Sequence, residues 1–144
     1  MVANMTVGRD DRPVEYAITV RTGASFAEAD AQIRASLKAQ GFGVLTEIDV
    51  QSTLRDKLGV EIEQYVILGA CNPPLAHRAL SADRTVGLLL PCNVVVRAGD
   101  GCTIVEALDP RAIAAIAGMP LLKDIAEDAA GRLRAALSTL PPER

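Results

Sequence analysis

Apolar residues recur along the chain at two different spacings, and these spacings predict strands and helices in alternation. Residues 14–20 are rich in β-branched side chains and end at an Arg-Thr-Gly turn, which is typical of a strand. Ser25 and Glu28 have the spacing of a capping box, and the apolar residues after them keep helical spacing as far as Gly41. From Phe42 the spacing changes to two, which predicts a second strand.

This second strand is expected to have one apolar and one acidic face. Simple alternation places Val44 and Ile48 on one face and Glu47 and Asp49 on the other. Two carboxylates at this spacing can form a functional pair or belong to a solvated face, and the pattern leaves both interpretations open. Ser52 is then predicted to cap a short helix.

A third strand and a helix that begins with proline are predicted next. Residues 62–68 are predicted to form this strand, because residues 65–68 are an apolar run of the kind found in buried strands. Asn72 is a favoured N-cap and Pro73 a favoured first helical residue, so a helix of about two turns should follow. Residues 85–97 contain two parts of one strand, bent at Pro91 because proline cannot donate a ladder hydrogen bond.

The remaining residues predict a hairpin followed by helices. A Gly-Asp-Gly turn at 99–101 joins two strands, Asp109 caps a helix, and an apolar stripe over 122–140 predicts a long last helix. The predicted order is β-α-β-α-β-α-β-β-α-α. It favours an α+β fold, a two-layer α/β sandwich with a mixed sheet of about five strands. We expect one such domain over 14–140, after a disordered or tag-like arm at 1–13.

Composition narrows the classes of function. Hydrophobic residues make up 49% of the chain and charged residues 23%, which fits a packed globule and not a disordered chain. The net charge is -3, so general binding to nucleic acid or to an anionic membrane is disfavoured. Residues 1–13 contain no apolar block of the kind a signal peptide needs, and the longest apolar stretch, 86–96, is too short to cross a bilayer. We therefore expect a soluble cytoplasmic protein whose thiols stay reduced.

The side chains that could bind a ligand or take part in a reaction are grouped around two thiols. Cys71-Asn72-Pro73 and Pro91-Cys92-Asn93 each place a thiol beside an amide and a proline where a strand stops or breaks. The positive end of a helix macrodipole after Cys71 favours its thiolate, and soft thiolates suit Zn or Cu(I). The expected cleft, which would hold a small ligand or a soft metal ion, is lined by Cys71, Asn72, His77, Cys92 and Asn93. Within it, Cys71 and Cys92 are the candidate metal ligands.

Three other interpretations stay open. Free cysteine is often a small packed apolar residue, and the odd count of three cysteines with no CxxC signals neither a disulfide framework nor a zinc ribbon. Cys71 or Cys92 could instead be the nucleophile or redox thiol of an enzyme. The chain could also be a structural homodimer, formed through a sheet edge or through the last helix with its Leu133 and Leu137. No GxSxG, P-loop or GxGxxG motif is present.

With these segments placed, the chain resembles the family called domain of unknown function 302. The resemblance runs over about residues 14 to 117 and rests on "GASFAEADAQIRASLKAQGFGVLTEIDV", "YVILGACNPPLAHRALSADRTVGLLLPCNVVV" and "EALDP". It implies a compact α+β sandwich and homodimers, and it implies no agreed activity. The chain resembles the branch of the family with both cysteines, whereas other branches keep the Asn-Pro and lack the thiols. This argues against thiol chemistry common to the whole family and leaves chemistry specific to this branch open.

Overall fold

A computed structural model describes residues 15–143 of the chain, and the arm expected at 1–13 lies outside this range. The helices and strands occur in the predicted order, with one 3₁₀ helix added. In chain order they are β1 (Ala17–Thr22), α1 (Phe26–Ala39), β2 (Gly43–Asp49), α2 (Val50–Leu58), β3 (Tyr65–Cys71), α3 (Pro73–Ala82), the 3₁₀ helix (Arg84–Leu89), β4 (Cys92–Ala98), β5 (Thr103–Leu108), α4 (Pro110–Ala117) and α5 (Pro120–Leu137).

The five strands form one sheet in the order β1-β5-β4-β3-β2. The α+β class and the order of the elements are confirmed, but every neighbouring pair is antiparallel, so the expectation of a mixed sheet is wrong. The reason lies in where the connections begin and end. Asp49 at the end of β2 pairs with Val66 near the start of β3, and Ala70 near the end of β3 pairs with Cys92 at the start of β4. The connection through α2 and the connection through α3 and the 3₁₀ helix therefore each return the chain to the end of the sheet that it left, which reverses the strand direction. Helix α1 instead carries the chain from the end at Thr22 to the opposite end at Gly43, so the edge strands β1 and β2 run in the same direction.

One face of the sheet holds the main core. The core combines α1, the inward residues of β3, β4 and β5, and the second half of α5. Leu133 and Leu137 are both fully buried there. The last helix therefore uses these two leucines to pack within its own chain, and they are not available as the dimer surface that the sequence suggested.

The helix caps follow the local sequence with one correction. The capping box of Ser25 and Glu28 is formed, and Asn72 caps α3 as predicted. The cap of α2 is Asp49, whose carboxylate accepts a hydrogen bond from the backbone N–H of Ser52, so the prediction that Ser52 is the cap is wrong. Asp49 satisfies a free N–H of the first turn and lets α2 begin directly at the end of β2.

The segment before Pro91 is a 3₁₀ helix and not the first part of a bent strand. Asp83 explains the difference, because its carboxylate accepts hydrogen bonds from both the backbone N–H and the side chain of Thr85. That turn places Val86 in a cluster of buried apolar residues. β4 then begins at Cys92, and Pro91 lies outside the hydrogen-bonded ladder.

An irregularity in β2 overturns the expected faces of that strand. The register shifts between Val44 and Thr46, so Leu45 is an extra residue and the side-chain alternation restarts after it. Glu47 pairs with Leu68 and therefore points to the helical side of the sheet, as Val44 does. Ile48 points to the opposite side, so the predicted separation of an apolar from an acidic face is wrong.

Gly69 of β3 pairs with Thr46 of β2 on one side and with Asn93 near the start of β4 on the other. A Cβ at this position would collide with Thr46 Oγ1 and would lie 3.0 Å from Pro91 Cγ. We therefore expect Gly69→Ala to lower the free energy of unfolding by about 1–3 kcal/mol, the usual cost of overpacking.

The cause of that loss can be checked with a double-mutant cycle measured by urea denaturation. Thr46→Ala removes the colliding hydroxyl, so the double variant should recover part of the stability lost by Gly69→Ala alone. Strictly additive effects of the two substitutions would show that Thr46 is not the obstacle.

Candidate functional site

A cavity opens at the end of the sheet where β3 stops and β4 starts. Ala70 and Cys92 form the floor as directly paired residues of these two strands. Helices α3, α4 and α5 and the 3₁₀ helix surround the remaining sides. The cavity thus lies beside the main core, next to a second apolar cluster formed by α3, the 3₁₀ helix and the first half of α5.

The cavity has a volume of about 390 Å³, which is within the range of small-molecule sites. Its lining consists mostly of aliphatic side chains from seven elements and the turns between them. The lining residues are Phe42, Leu45, Thr46, Ala70, Cys71, Asn72, Leu75, Ala76, Ala79, Leu80, Val86, Gly87, Leu90, Pro91, Cys92, Pro110, Ile113, Ala114, Leu122, Ile125, Ala126 and Ala129. Among these described residues, no side chain carries a charge at neutral pH.

The mouth of the cavity is formed by its solvent-exposed lining residues. Leu45 is 68% exposed, and Thr46 beside it in the irregular part of β2 is also exposed. Gly87 of the 3₁₀ helix is exposed as well, whereas Leu75 and Ala79 deeper in the lining are buried. The site is therefore a deep apolar cavity that opens to water between β2 and the 3₁₀ helix.

Asn72 contributes to the wall mainly as a structural residue. It is buried, and its side-chain oxygen accepts a 3.3 Å hydrogen bond from the backbone N–H of Leu75 as the cap of α3. Its side-chain nitrogen donates to the carbonyl oxygen of Gln40 at 3.4 Å. Gly41 adopts a positive φ of 88° next to it, and a Cβ there would lie 3.1 Å from the Asn72 amide nitrogen. Asn72 thus ties the start of α3 to the turn after α1.

Cys92 lies in the cavity floor as a neutral thiol. Burial raises its pKa from 9.0 to about 11, and the neighbouring Cys71 thiol acts in the same direction. Cys71 is half-buried in the same wall, directly before the cap of α3. The two thiols therefore share a cavity as expected, but the environment of Cys92 disfavours the thiolate that a nucleophile or a metal ligand requires.

Of the five residues predicted to line a cleft, the structure brings three together. Cys71, Asn72 and Cys92 line the cavity, whereas His77 and Asn93 are exposed and lie outside its lining. Asn93 pairs with Gly69 across the ladder and, by strand alternation, points away from the face that holds Cys92. His77 lies on the outer side of α3, because the same helix turns its Leu75 and Ala79 inward.

Within the part of the chain that the structure describes, the two thiols have no third metal-binding side chain near them. Among residues 15–143, no group of three or more His, Cys, Asp or Glu side chains is placed to hold a metal ion. A structural zinc site normally has four protein ligands and a catalytic site three. The lining therefore offers fewer ligands than a protein zinc site normally has.

Sequence reasoning missed the wall contributed by the last two helices. Ile113 and Ala114 of α4 face Ile125, Ala126 and Ala129 of α5 around the cavity. The helical spacing of these residues was visible, but it could equally well have indicated ordinary core packing. The run of alanines was the available signal, because small side chains leave space between helices.

A second, more polar cavity lies at the opposite end of β2. It measures about 200 Å³ and is lined by Asp30, Glu47 and Asp49 together with Tyr65 and several uncharged residues. Arg34 bridges Asp30 at 3.0 Å and also forms an ion pair with Glu47. Asp30 and Glu47 thus take part in a partly exposed ion-pair network, whereas Asp49 caps α2. The irregularity in β2 turns Glu47 to the helical side of the sheet, where Arg34 lies.

Fold and cavity together define a class of small α+β protein with an apolar site, open to water on one side, at one end of an antiparallel sheet. Comparison with known proteins identifies the family. The sequence matches "Domain of unknown function DUF302" over residues 18–140, and the chain belongs to this family. The crystal structure of the uncharacterized conserved protein DUF302 from Bacillus stearothermophilus is similar to this chain, with a TM-score of 0.83 and 34% sequence identity. That alignment covers 88% of this chain and 99% of the other.

These comparisons confirm the resemblance and the fold, and they supply no activity. No curated protein matches the sequence. Within residues 15–143, none of the helices has the length and apolar character needed to cross a membrane. Function must therefore be inferred from the chemistry of the site.

We predict that Cys92 reacts more slowly with iodoacetamide in the folded protein than Cys71 and Cys102 do, because only the thiolate reacts. The Cys92 rate should continue to rise with pH up to about 11, since burial raises its pKa to that value. Mass spectrometry of the labelled peptides measures each rate, with the denatured protein as control. Labelling of Cys92 that levels off at or below pH 9 would contradict this placement.

Proposed function

We propose that this protein is a small-ligand binding module whose site is the apolar cavity at the end of the sheet. The observation that carries the proposal is a cavity of about 390 Å³ surrounded almost entirely by aliphatic side chains. Protein interiors are normally close-packed, so an apolar space of this size is available for burying a ligand's apolar surface.

The size of the cavity indicates the size of the ligand. An apolar protein cavity of about 150 Å³ accommodates benzene. By proportion, a cavity of about 390 Å³ should hold a molecule of up to roughly 16 non-hydrogen atoms. Each methylene group transferred from water into it would contribute about 0.8 kcal/mol.

The chemistry of the lining supports an organic ligand over a metal ion or a thiol reaction. Zinc and copper bind thiolates, whereas burial keeps Cys92 protonated with a pKa of about 11. A catalytic thiol also needs a base to activate it. Among the described lining residues, no carboxylate or imidazole is available, and His77 lies outside the lining.

Two neighbouring substitutions on α3 test the site. Ala76 is half-buried in the cavity wall, so Ala76→Phe should fill the space and weaken binding of a neutral probe such as 1-decanol or naphthalene by at least about tenfold. His77→Phe adds a ring on the exposed side of the same helix and should leave the affinity unchanged. Isothermal titration calorimetry measures both, with circular dichroism to verify folding.

The pair of variants also separates the two possible locations of the site. Loss of binding in His77→Phe with retention in Ala76→Phe would place the ligand in a cleft that includes the histidine. Absence of binding of every neutral probe to the unmodified chain would reject the proposal.

We also propose that the chain self-associates as a homodimer through β2 and α2. β2 is an edge strand, and such a strand can pair with a second copy. Four large apolar residues between positions 45 and 60 are exposed, and α2 has no buried residue. The exposed residues are Leu45, Ile48, Leu58 and Val60.

Light scattering tests this surface. The unmodified protein should have the mass of two chains, and Ile48→Lys should shift it to the mass of one, because a lysine on an edge strand opposes strand pairing. Ile116→Lys is the control, since Ile116 is 73% exposed on α4, away from β2. A dimer that persists in Ile48→Lys, or a single chain for the unmodified protein at all concentrations, would contradict the proposed interface.

A further inference from the structure

We infer that the cavity selects uncharged apolar molecules and rejects their carboxylates. This inference rests on the proposed function, because it concerns the ligand of the same cavity. It depends on the charges around the cavity and not on its size. The described lining contains no arginine, lysine or histidine that could pair with an anion and no carboxylate that could pair with a cation.

The polar groups in the wall are few and mostly occupied. Asn72 uses its side-chain oxygen to cap α3 and its side-chain nitrogen to contact the carbonyl of Gln40. Cys71 and Cys92 are weak hydrogen-bonding groups, and the hydroxyl of Thr46 lies at the mouth of the cavity. These groups can form hydrogen bonds with a hydroxyl or a carbonyl of a ligand, but they cannot replace the water around a full charge.

The cost of removing water from the ligand's head group determines how strongly the cavity discriminates between an alcohol and a carboxylate. Transfer of an ionised carboxylate into an apolar site without a partner costs far more free energy than transfer of a hydroxyl. A straight-chain alcohol should therefore enter the cavity, whereas the fatty acid with the same chain should bind weakly at neutral pH. Aliphatic alcohols, aldehydes and hydrocarbons of about ten carbons are the ligand class that the wall favours.

The experiment compares 1-decanol with decanoate, which share a ten-carbon chain and differ in the head group, by calorimetry at pH 7. We expect 1-decanol to bind at least about tenfold more tightly, because an unpaired carboxylate is costly to bury. Gly87→Lys then adds a cation at the mouth. A Cβ at Gly87 would meet Leu80 Cδ2 at an ordinary contact distance of 3.8 Å, so the position has room for a side chain.

We expect Gly87→Lys to reduce the ratio of the 1-decanol affinity to the decanoate affinity at least about threefold, which is within the range of a partly exposed ion pair. Leu88→Lys is the matched control, because Leu88 follows Gly87, is 88% exposed and lies outside the lining. It should leave the selectivity unchanged. Should Gly87→Lys fail to fold, Ala76→Lys places the same charge in the wall from α3.

The outcomes distinguish this inference from the proposed function. Decanoate binding as tightly as 1-decanol would overturn the selectivity and leave the cavity as a ligand site. An equal change of selectivity in Gly87→Lys and Leu88→Lys would also overturn it, because the effect would then be one of net charge. Failure of both probes to bind would reject the proposed function, and the selectivity with it.

Discussion

Burial of one helix, α5, in two different apolar environments is the interaction on which the rest of the structure depends. Its second half carries Leu133 and Leu137 into the main core against the sheet, and its first half carries Leu122 and Ile125 into the cluster beside the cavity. Each such side chain contributes about 1.5–3 kcal/mol when it leaves water. Because one helix serves both clusters, packing of the main core also sets the position of the cavity wall.

The cavity remains open because the helices around it present small side chains. Ala76 and Ala79 of α3 face Ala126 and Ala129 of α5 in its lining. Larger residues at these positions would close the space and gain contacts, since protein interiors favour close packing. The alanines therefore give up packing energy inside an otherwise dense structure, and this makes the cavity a better candidate for function than the exposed polar residues.

The sequence and the folded protein indicate different roles for the two cysteines. In the sequence, both cysteines lie at predicted strand ends, and the start of a helix beside them could activate a thiol. In the fold, Cys92 is part of an apolar floor, and burial favours its protonated form. The structural contribution of this corner is the Asn72 cap, which joins α3 to the turn after α1.

Local sequence by itself determined the order of the α-helices and strands and most of their ends, but it did not reveal the 3₁₀ helix Arg84–Leu89. The Ser25 capping box and the Asn72 cap depend on contacts within a few residues, so the chain encodes them without reference to the rest of the fold. The meeting of Cys71 and Cys92 was also predictable, because consecutive strands usually pair.

The tertiary structure alone decided the strand directions, the faces of β2 and the shape of the cavity. An alternating β-α pattern is compatible with parallel and with antiparallel neighbours. The strand direction depends on whether each connection leads back to the end of the sheet that the chain left or to the opposite end. One extra residue, Leu45, inverts the faces of Glu47 and Ile48, because side chains alternate with a period of two. The cavity depends on helices far apart in sequence, so its volume could not be obtained from any local pattern.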